Sequence, residues 1–564
     1  MKQIVFPCIL ALLIFSGCAG TESLQQQHGQ TDQLLAYSEL ITPDFLRTHL
    51  EVIAHDSLMG RDTGTIGEKL AANYLVSLYE KWGVEPMGTR GYLQPFMLNA
   101  ERTDSLVYRT FSIAEGDTTW LSLGVEGQSS PADFMRLFGG MAPLTGEIVF
   151  GGFGVDDPER NVQHLDPEMM AGNWVMIFDE LPHVLNGDTL INPQINNNAR
   201  IGAILGQLGA DGVLVITDMD QEDYMELSAM NSATLGNASN FRLQYLDDGH
   251  QAQGFPKAYT MISPEKAAGL LGLESTEALF EYRENLKSDI TGFSAYSTET
   301  HLEYEPFDGP VEIESNNVLG YIEGGHPELK EEVIVLLAHY DHVGISMPDE
   351  HGDMINNGAD DNGSGTVALL TIAHAMQQAA NDGYRPDRSV LFLHVSAEEK
   401  GLLGSRYYSD HPVIPIEQTA AAFNADMIGR SDDRNIDKGD TDYVYLIGGH
   451  LISSELENIV VQANNRTVSM RLDDYYNDLD DPNQLYRRSD HWNFGRLEVP
   501  FVFFFTGLHE DYHRPGDTVD KIDFEKLSRI TKLIHASTIK TANTGERPAV
   551  DNDEFVEITR RMAR

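Results

Sequence analysis

Residues 333–342 read VIVLLAHYDH. Six apolar residues, Val333 to Ala338, lead without a turn into His339, Asp341 and His342. A short run that is apolar throughout predicts a central strand covered on both faces. The same pattern recurs downstream. VLFLHV (390–395) leads into Glu398-Glu399, AAAFNA (420–425) ends at Asp426, and VPFVFFF (499–505) runs into a segment ending at His513. Helix-like segments such as Thr366 to Ala380 separate these runs. From residue 317 onward the alternation predicts an α/β fold with a mostly parallel central sheet flanked by helices.

In open α/β sheets, ligands bind beyond the carboxyl ends of the strands. Histidines and carboxylates from distant parts of the chain are therefore expected to converge there. The Gly-rich segment Gly358-Ala359-Asp360-Asp361-Asn362-Gly363-Ser364-Gly365 precedes a helix-like run and belongs with them. Imidazoles and carboxylates without thiolates suit a hydrolytic zinc, cobalt or manganese site. Two metals need a bridging carboxylate, and a base must take a proton from the attacking water. The neighbours Glu398 and Glu399 fit a division into base and ligand.

The rest of the chain sets bounds on this reading. Its 564 residues predict more than one domain. With 39 Lys plus Arg against 87 Asp plus Glu, the formal charge is −48, which argues against nucleic acid as a partner. The two cysteines are Cys8 and Cys18, so a disulfide scaffold and a thiolate metal site are both excluded for the body of the chain. Lys2 precedes an apolar run, Ile4 to Phe15, too short to span a membrane, and Ser16-Gly17-Cys18 supplies small residues at a processing point. This layout resembles a bacterial lipoprotein signal over 1–17, with Cys18 as the lipid-bearing residue. It implies an exported, cell-envelope protein held to a membrane by a lipid anchor. Residues 18–36 are polar and Gln-rich and read as a flexible tether.

Residues 41–86 predict two helices separated by the Gly-rich turn around Gly60-Arg61. Residues 145–265 have their own texture of short β-type runs alternating with helices. That stretch resembles the protease-associated domain, a small α/β insert of secreted peptidases. The expected division is a peptidase part over 37–125, the insert over 126–290, the main peptidase part over 291–545 and a tail over 546–564.

The strings AHYDHVG, NGADDNGSG, SAEEKGLLGS, NADMIG and HEDYHRPGDT, in this order, resemble the zinc aminopeptidases of metallopeptidase family twenty-eight. The resemblance implies the zinc exopeptidase fold, removal of N-terminal residues from peptides, and two zinc ions per chain. It assigns His339, Asp360, Glu399, Asp426 and His513 as metal ligands, with Asp360 bridging and the following bond to Asp361 cis. It assigns Glu398 as general base and Asp341 as the carboxylate that orients His339. Ser489-Asp490-His491-Trp492 resembles a segment near the substrate pocket, which makes Asp490 and His491 pocket candidates, and Tyr512 is another. His342 stays outside the ligand set. Carboxypeptidases and glutaminyl cyclases share the fold and remain alternatives. Arg487, Arg488 and Arg514 lie near the motifs and keep the first of these open, because a C-terminal carboxylate needs a cation.

Overall fold

The computed structural model describes residues 31–562, apart from 115–116, 128–131, 186, 235–237, 248–256, 347–348 and 350–351. The signal segment, Cys18 and most of the tether lie outside the described residues. The chain divides into two compact units, one made of Met1–Met97 with Glu314–Arg564, the other of Leu98–Ile313.

The first unit is built on strands β1 (Val333–His339), β2 (Ser389–Val395), β3 (Thr419–Ala425), β4 (Tyr443–Gly448), β5 (Arg471–Asp473) and β6 (Phe501–Phe505). Their order is β5-β4-β6-β3-β1-β2, with the segment Val318–Ile322 beyond β2. The pairs β1–β2, β1–β3, β3–β6 and β4–β5 are parallel, whereas β4–β6 and the Val318–Ile322 edge are antiparallel. Every residue of β1, β2, β3 and β6 is buried. Helices cover both faces, so each strand must be apolar on both sides.

One face carries α1 (Pro43–Ile53), α2 (Ile66–Trp82), α3 (Gly365–Asn381), α4 (Ser454–Arg466) and α5 (Phe524–Ala542). The Thr42 side chain accepts a hydrogen bond from the Phe45 N–H and so caps α1. Gly83, with φ 78°, ends α2 in the left-handed conformation. The opposite face buries an aromatic cluster of Tyr408, Tyr443, Tyr445, Phe494, Phe501, Phe503 and Phe505.

The expected tail forms α6 (Asp553–Met562), and the fully buried Phe555 plugs it into that aromatic cluster. Residues 31–36 are helical and Leu34 is buried in the core, so the chain is ordered before the expected end of the tether at residue 36.

The second unit has four parallel neighbours, Leu144–Phe150, Trp174–Phe178, Gly212–Ile216 and Ala258–Ile262. Phe134–Gly139 and Tyr296–Tyr304 flank them antiparallel. The unit is wider than the 126–290 segment expected from the sequence. Ser105–Ala114 pairs with Asp117–Gly127, and Leu98–Arg102 pairs with Ala238–Leu243, which brings residues before 126 into it.

Candidate metal centre

Most of the chemically active side chains here sit beyond the carboxyl ends of strands. His339 is the last residue of β1, Asp426 directly follows β3, and Glu398 and Glu399 follow β2. His513 follows β6, and Asp361 lies in the turn that enters α3.

Two groups of side chains converge. His342, Asp361, Glu399 and His513 each offer a ligand atom within 4.8 Å of the others, and so do His339, Glu398 and Asp426. Asp361 faces both groups. Its Oδ1 lies 3.3 Å from His339 Nε2 and its Oδ2 lies 3.1 Å from His513 Nε2. On the first side, His339 Nε2 is 3.4 Å from Asp426 Oδ1. On the second, His513 Nε2 is 3.1 Å from Glu399 Oε2.

Asp361, not the expected Asp360, therefore occupies the shared position. Asp360 turns away: its Oδ1 accepts the Gly429 N–H at 2.6 Å and its Oδ2 lies 3.4 Å from His509 Nε2. The cis bond is likewise one residue further on, between Asp361 and Asn362. The register of this turn is fixed by its neighbours. Asp517 accepts the N–H groups of both Asp360 and Asp361. Asn362 ties the turn to β3 through the Ala425 carbonyl. Gly358 has φ 55°, and a Cβ there would stand 2.2 Å from the Asp361 carbonyl oxygen and 2.5 Å from the His342 ring.

His342 also joins the cluster, although the sequence reading left it aside. Its Nδ1 is 2.9 Å from Glu399 Oε1. The signal was its place three residues after His339, at the end of the same strand.

Asp341 holds the site together from behind. Its carboxylate accepts the N–H groups of Glu398 and Glu399 and the Thr63 hydroxyl. His339 Nδ1 sits 3.1 Å from the Asp341 carbonyl oxygen and 3.7 Å from its carboxylate. Arg61 braces the same loops. It is fully buried and donates to the carbonyls of Ile53, Tyr340, Asn357 and Gly358.

The electrostatics separate the two glutamates. Burial pushes Glu398 well above the ordinary carboxylate range against the pull of His339, and Glu399 and Asp490 push the same way. Burial and Asp361 also push Glu399 up, but hydrogen bonds from His342 and His513 outweigh them and hold it at about 2. One carboxyl is thus suited to exchange a proton and its neighbour to stay ionised.

The pocket over the cluster is walled by Met427, Leu485, Phe503, Phe505, Leu508 and Tyr512. Tyr512 stacks on the His513 ring with centroids 3.9 Å apart. Asp490 and His491 do not line it. His491 is packed between Phe501 and Phe503, donates to the Leu485 carbonyl and accepts from Asn424, and burial holds its pKa down to about 3. Asp490 is buried behind the wall, where burial raises it to about 7. Its neighbour Ser489 does reach the centre, donating to Asp426 Oδ2 at 2.8 Å.

The donor set fits divalent metal. His342 Nε2 is buried without a hydrogen-bond partner, and the single His513 Nε2 faces two buried carboxylates, Asp361 and Glu399, at 3.1 Å each, an expensive concentration of acceptors unless a cation satisfies them. Nitrogen and oxygen donors without sulfur suit zinc and its borderline neighbours.

The chain is similar to "Aminopeptidase YwaD" of Bacillus subtilis, 27% identical over 230 residues, covering 40% of this chain and 43% of that protein. It is similar to "Leucine aminopeptidase 2" of Arthroderma otae, 28% identical over 231 residues, covering 36% and 43%. The chain thus spans less than half the length of these curated relatives. A peptidase M28 precursor structure from Shewanella amazonensis superposes with a TM-score of 0.50 at 15% identity, covering 93% of this chain and 98% of that one, which speaks to the fold. Residues 317–538, the segment that supplies every ligand candidate named above, match the model of peptidase family M28, so this segment is similar to the domain of that family.

Proposed function

We propose that this protein is a zinc-dependent aminopeptidase that removes N-terminal residues, apolar ones foremost, from peptides. The observation that carries the reading is Asp361. Its two oxygens face His339 with Asp426 on one side and His513 with Glu399 on the other, and Glu398 stands beside them.

His339 and Asp426 would hold one zinc ion, His513 and Glu399 the other, and Asp361 would be shared. His342 lies close enough to Glu399 to orient it. Zinc held by these residues would supply a Lewis acid that polarises the scissile carbonyl and lowers the pKa of the attacking water. Glu398 accepts the proton of that water and passes it to the leaving amine. Asp341 fixes Glu398 by its backbone N–H, so the base is aimed before substrate arrives. The apolar wall around Phe503, Phe505 and Leu508 supports an apolar side chain on the residue removed. Surrounding apolar residues also exclude bulk water from the reacting carbonyl.

We also read the second unit, Leu98–Ile313, as containing the protease-associated insert, and Cys18 as the lipid-bearing residue of an exported envelope protein. Among the described residues, no helix is long and apolar enough to cross a membrane.

The test is hydrolysis of leucine p-nitroanilide with zinc by the chain starting after Cys18, beside the same compound acetylated at its amine. Cleavage of the free amine alone, abolished by a chelator, is the expected result. Cleavage of the acetylated compound, or indifference to the chelator, contradicts the reading.

A further inference from the structure

A second cavity, of about 430 Å³, opens beside the metal pocket. It is lined by Gly401, Leu402, Asn483, Trp492 and three arginines, Arg406, Arg487 and Arg488, together with Gln484 and Asn493. Its lining contains no carboxylate, although the chain as a whole carries 87 acidic residues against 39 basic ones. Arg406 is paired with Asp410, and Arg487 donates to Gln484. Arg488 differs from both. It is exposed, and among the described residues its guanidinium has no ionic or hydrogen-bonding acceptor.

Arg488 also belongs to both cavities: it lines the metal pocket as well as this one. The next residue, Ser489, donates directly to Asp426. Arg488 thus stands where the metal pocket and the open cavity meet. In an exopeptidase acting at the amino end, the residue removed fills the closed apolar pocket and the remaining peptide leaves by the open side. An unpaired guanidinium there meets whatever charge that peptide carries, and its planar fork matches a carboxylate.

We propose that Arg488 is a specificity residue that binds a carboxylate on the leaving-group side of the substrate. The carboxylate is either the C-terminal group of a short peptide or an acidic side chain. This inference rests on the aminopeptidase reading and gives it a substrate class, short or acidic peptides.

The test uses two substrate pairs with the zinc-loaded enzyme. Leu-Gly against Leu-Gly-amide reports the C-terminal group, and Leu-Gly-Asp-amide against Leu-Gly-Asn-amide reports the side chain. The acidic member of at least one pair should be cleaved with a kcat/KM about tenfold higher, mainly through KM, because a carboxylate–guanidinium contact is charge-assisted. The pair that shows the preference identifies the source of the carboxylate. In Arg488→Gln the ratio should fall to near one, while Arg488→Lys should keep part of it. Ratios near one for both pairs in the wild type overturn the inference and leave the aminopeptidase reading standing. So does a preference that survives Arg488→Gln. Cleavage of none of the four peptides overturns both.

Discussion

Asp517 accepts the backbone N–H of Asp361 on its Oδ2 at 3.0 Å, and so holds from 156 residues away the turn that presents the shared carboxylate. The neighbouring Asp360 N–H donates to the same group, to both oxygens, at 3.1 and 3.0 Å. An asparagine cannot replace this arrangement, because one of its two terminal atoms is itself a donor. Asp517→Asn should therefore weaken zinc binding by about 10–100-fold, the scale of loss when a partner of a ligand is removed. Competition with a chromophoric chelator reads the affinity directly. Unchanged affinity would mean that Asp361 is held by other contacts.

Glu398 and Glu399 are adjacent but should fail differently. Glu398→Gln should lower kcat by about 10²–10⁴-fold, the range for loss of a general base, with zinc still bound. Glu399→Gln should lose zinc. Metal analysis after gel filtration, beside the rate on leucine p-nitroanilide, separates the two. Full activity in Glu398→Gln would remove it from the proposed role.

Arg61 makes four hydrogen bonds to carbonyls, all of them buried, from Ile53, Tyr340, Asn357 and Gly358. A lysine ammonium has no planar fork to reach them all. Arg61→Lys should cost on the order of 3 kcal/mol, since each buried acceptor left alone costs about 1–3 kcal/mol. Urea unfolding of the metal-free protein measures this without interference from zinc, and a loss below 1 kcal/mol, well under that estimate, would show that the loops stand without the brace.

Burial depresses several histidines remote from the centre. His394 and His491 fall to about 3 and His535 to about 4, from an ordinary 6.5. The unfolded chain takes up protons on these rings below pH 6.5, whereas the folded chain does not until about pH 3–4. Their contribution to stability is thus complete above pH 6.5 and is lost progressively as pH falls through that window. In the folded metal-free protein the imidazole NMR signals of these three rings should therefore not titrate between pH 7 and pH 5. Titration of any of them in that range would contradict its burial as a neutral group.

Much of this was legible in the sequence, for a physical reason. Strands buried on both faces are apolar at every position, so β1, β2, β3 and β6 announce themselves and carry their terminal ligands with them. Which of two adjacent aspartates faces the centre was not legible. The choice between Asp360 and Asp361 depends on Asp517 and on the left-handed Gly358, neither of which marks the register in the string itself. His491 misled for a related reason. It follows Ser489, which touches Asp426, but the short turn between them sends the imidazole into the aromatic cluster. The limits of the second unit were hidden because its added strands alternate in burial and find partners far along the chain.

The central claim is that Asp361 is shared between two metal positions, and zinc stoichiometry tests it most directly. The measurement is equilibrium dialysis of the wild type, Asp361→Ala and Asp360→Asn at one free zinc concentration. The account predicts two equivalents bound to the wild type, one for each of the two groups around Asp361, one or none to Asp361→Ala, and two to Asp360→Asn. Two equivalents retained by Asp361→Ala, or lost from Asp360→Asn alone, would contradict it.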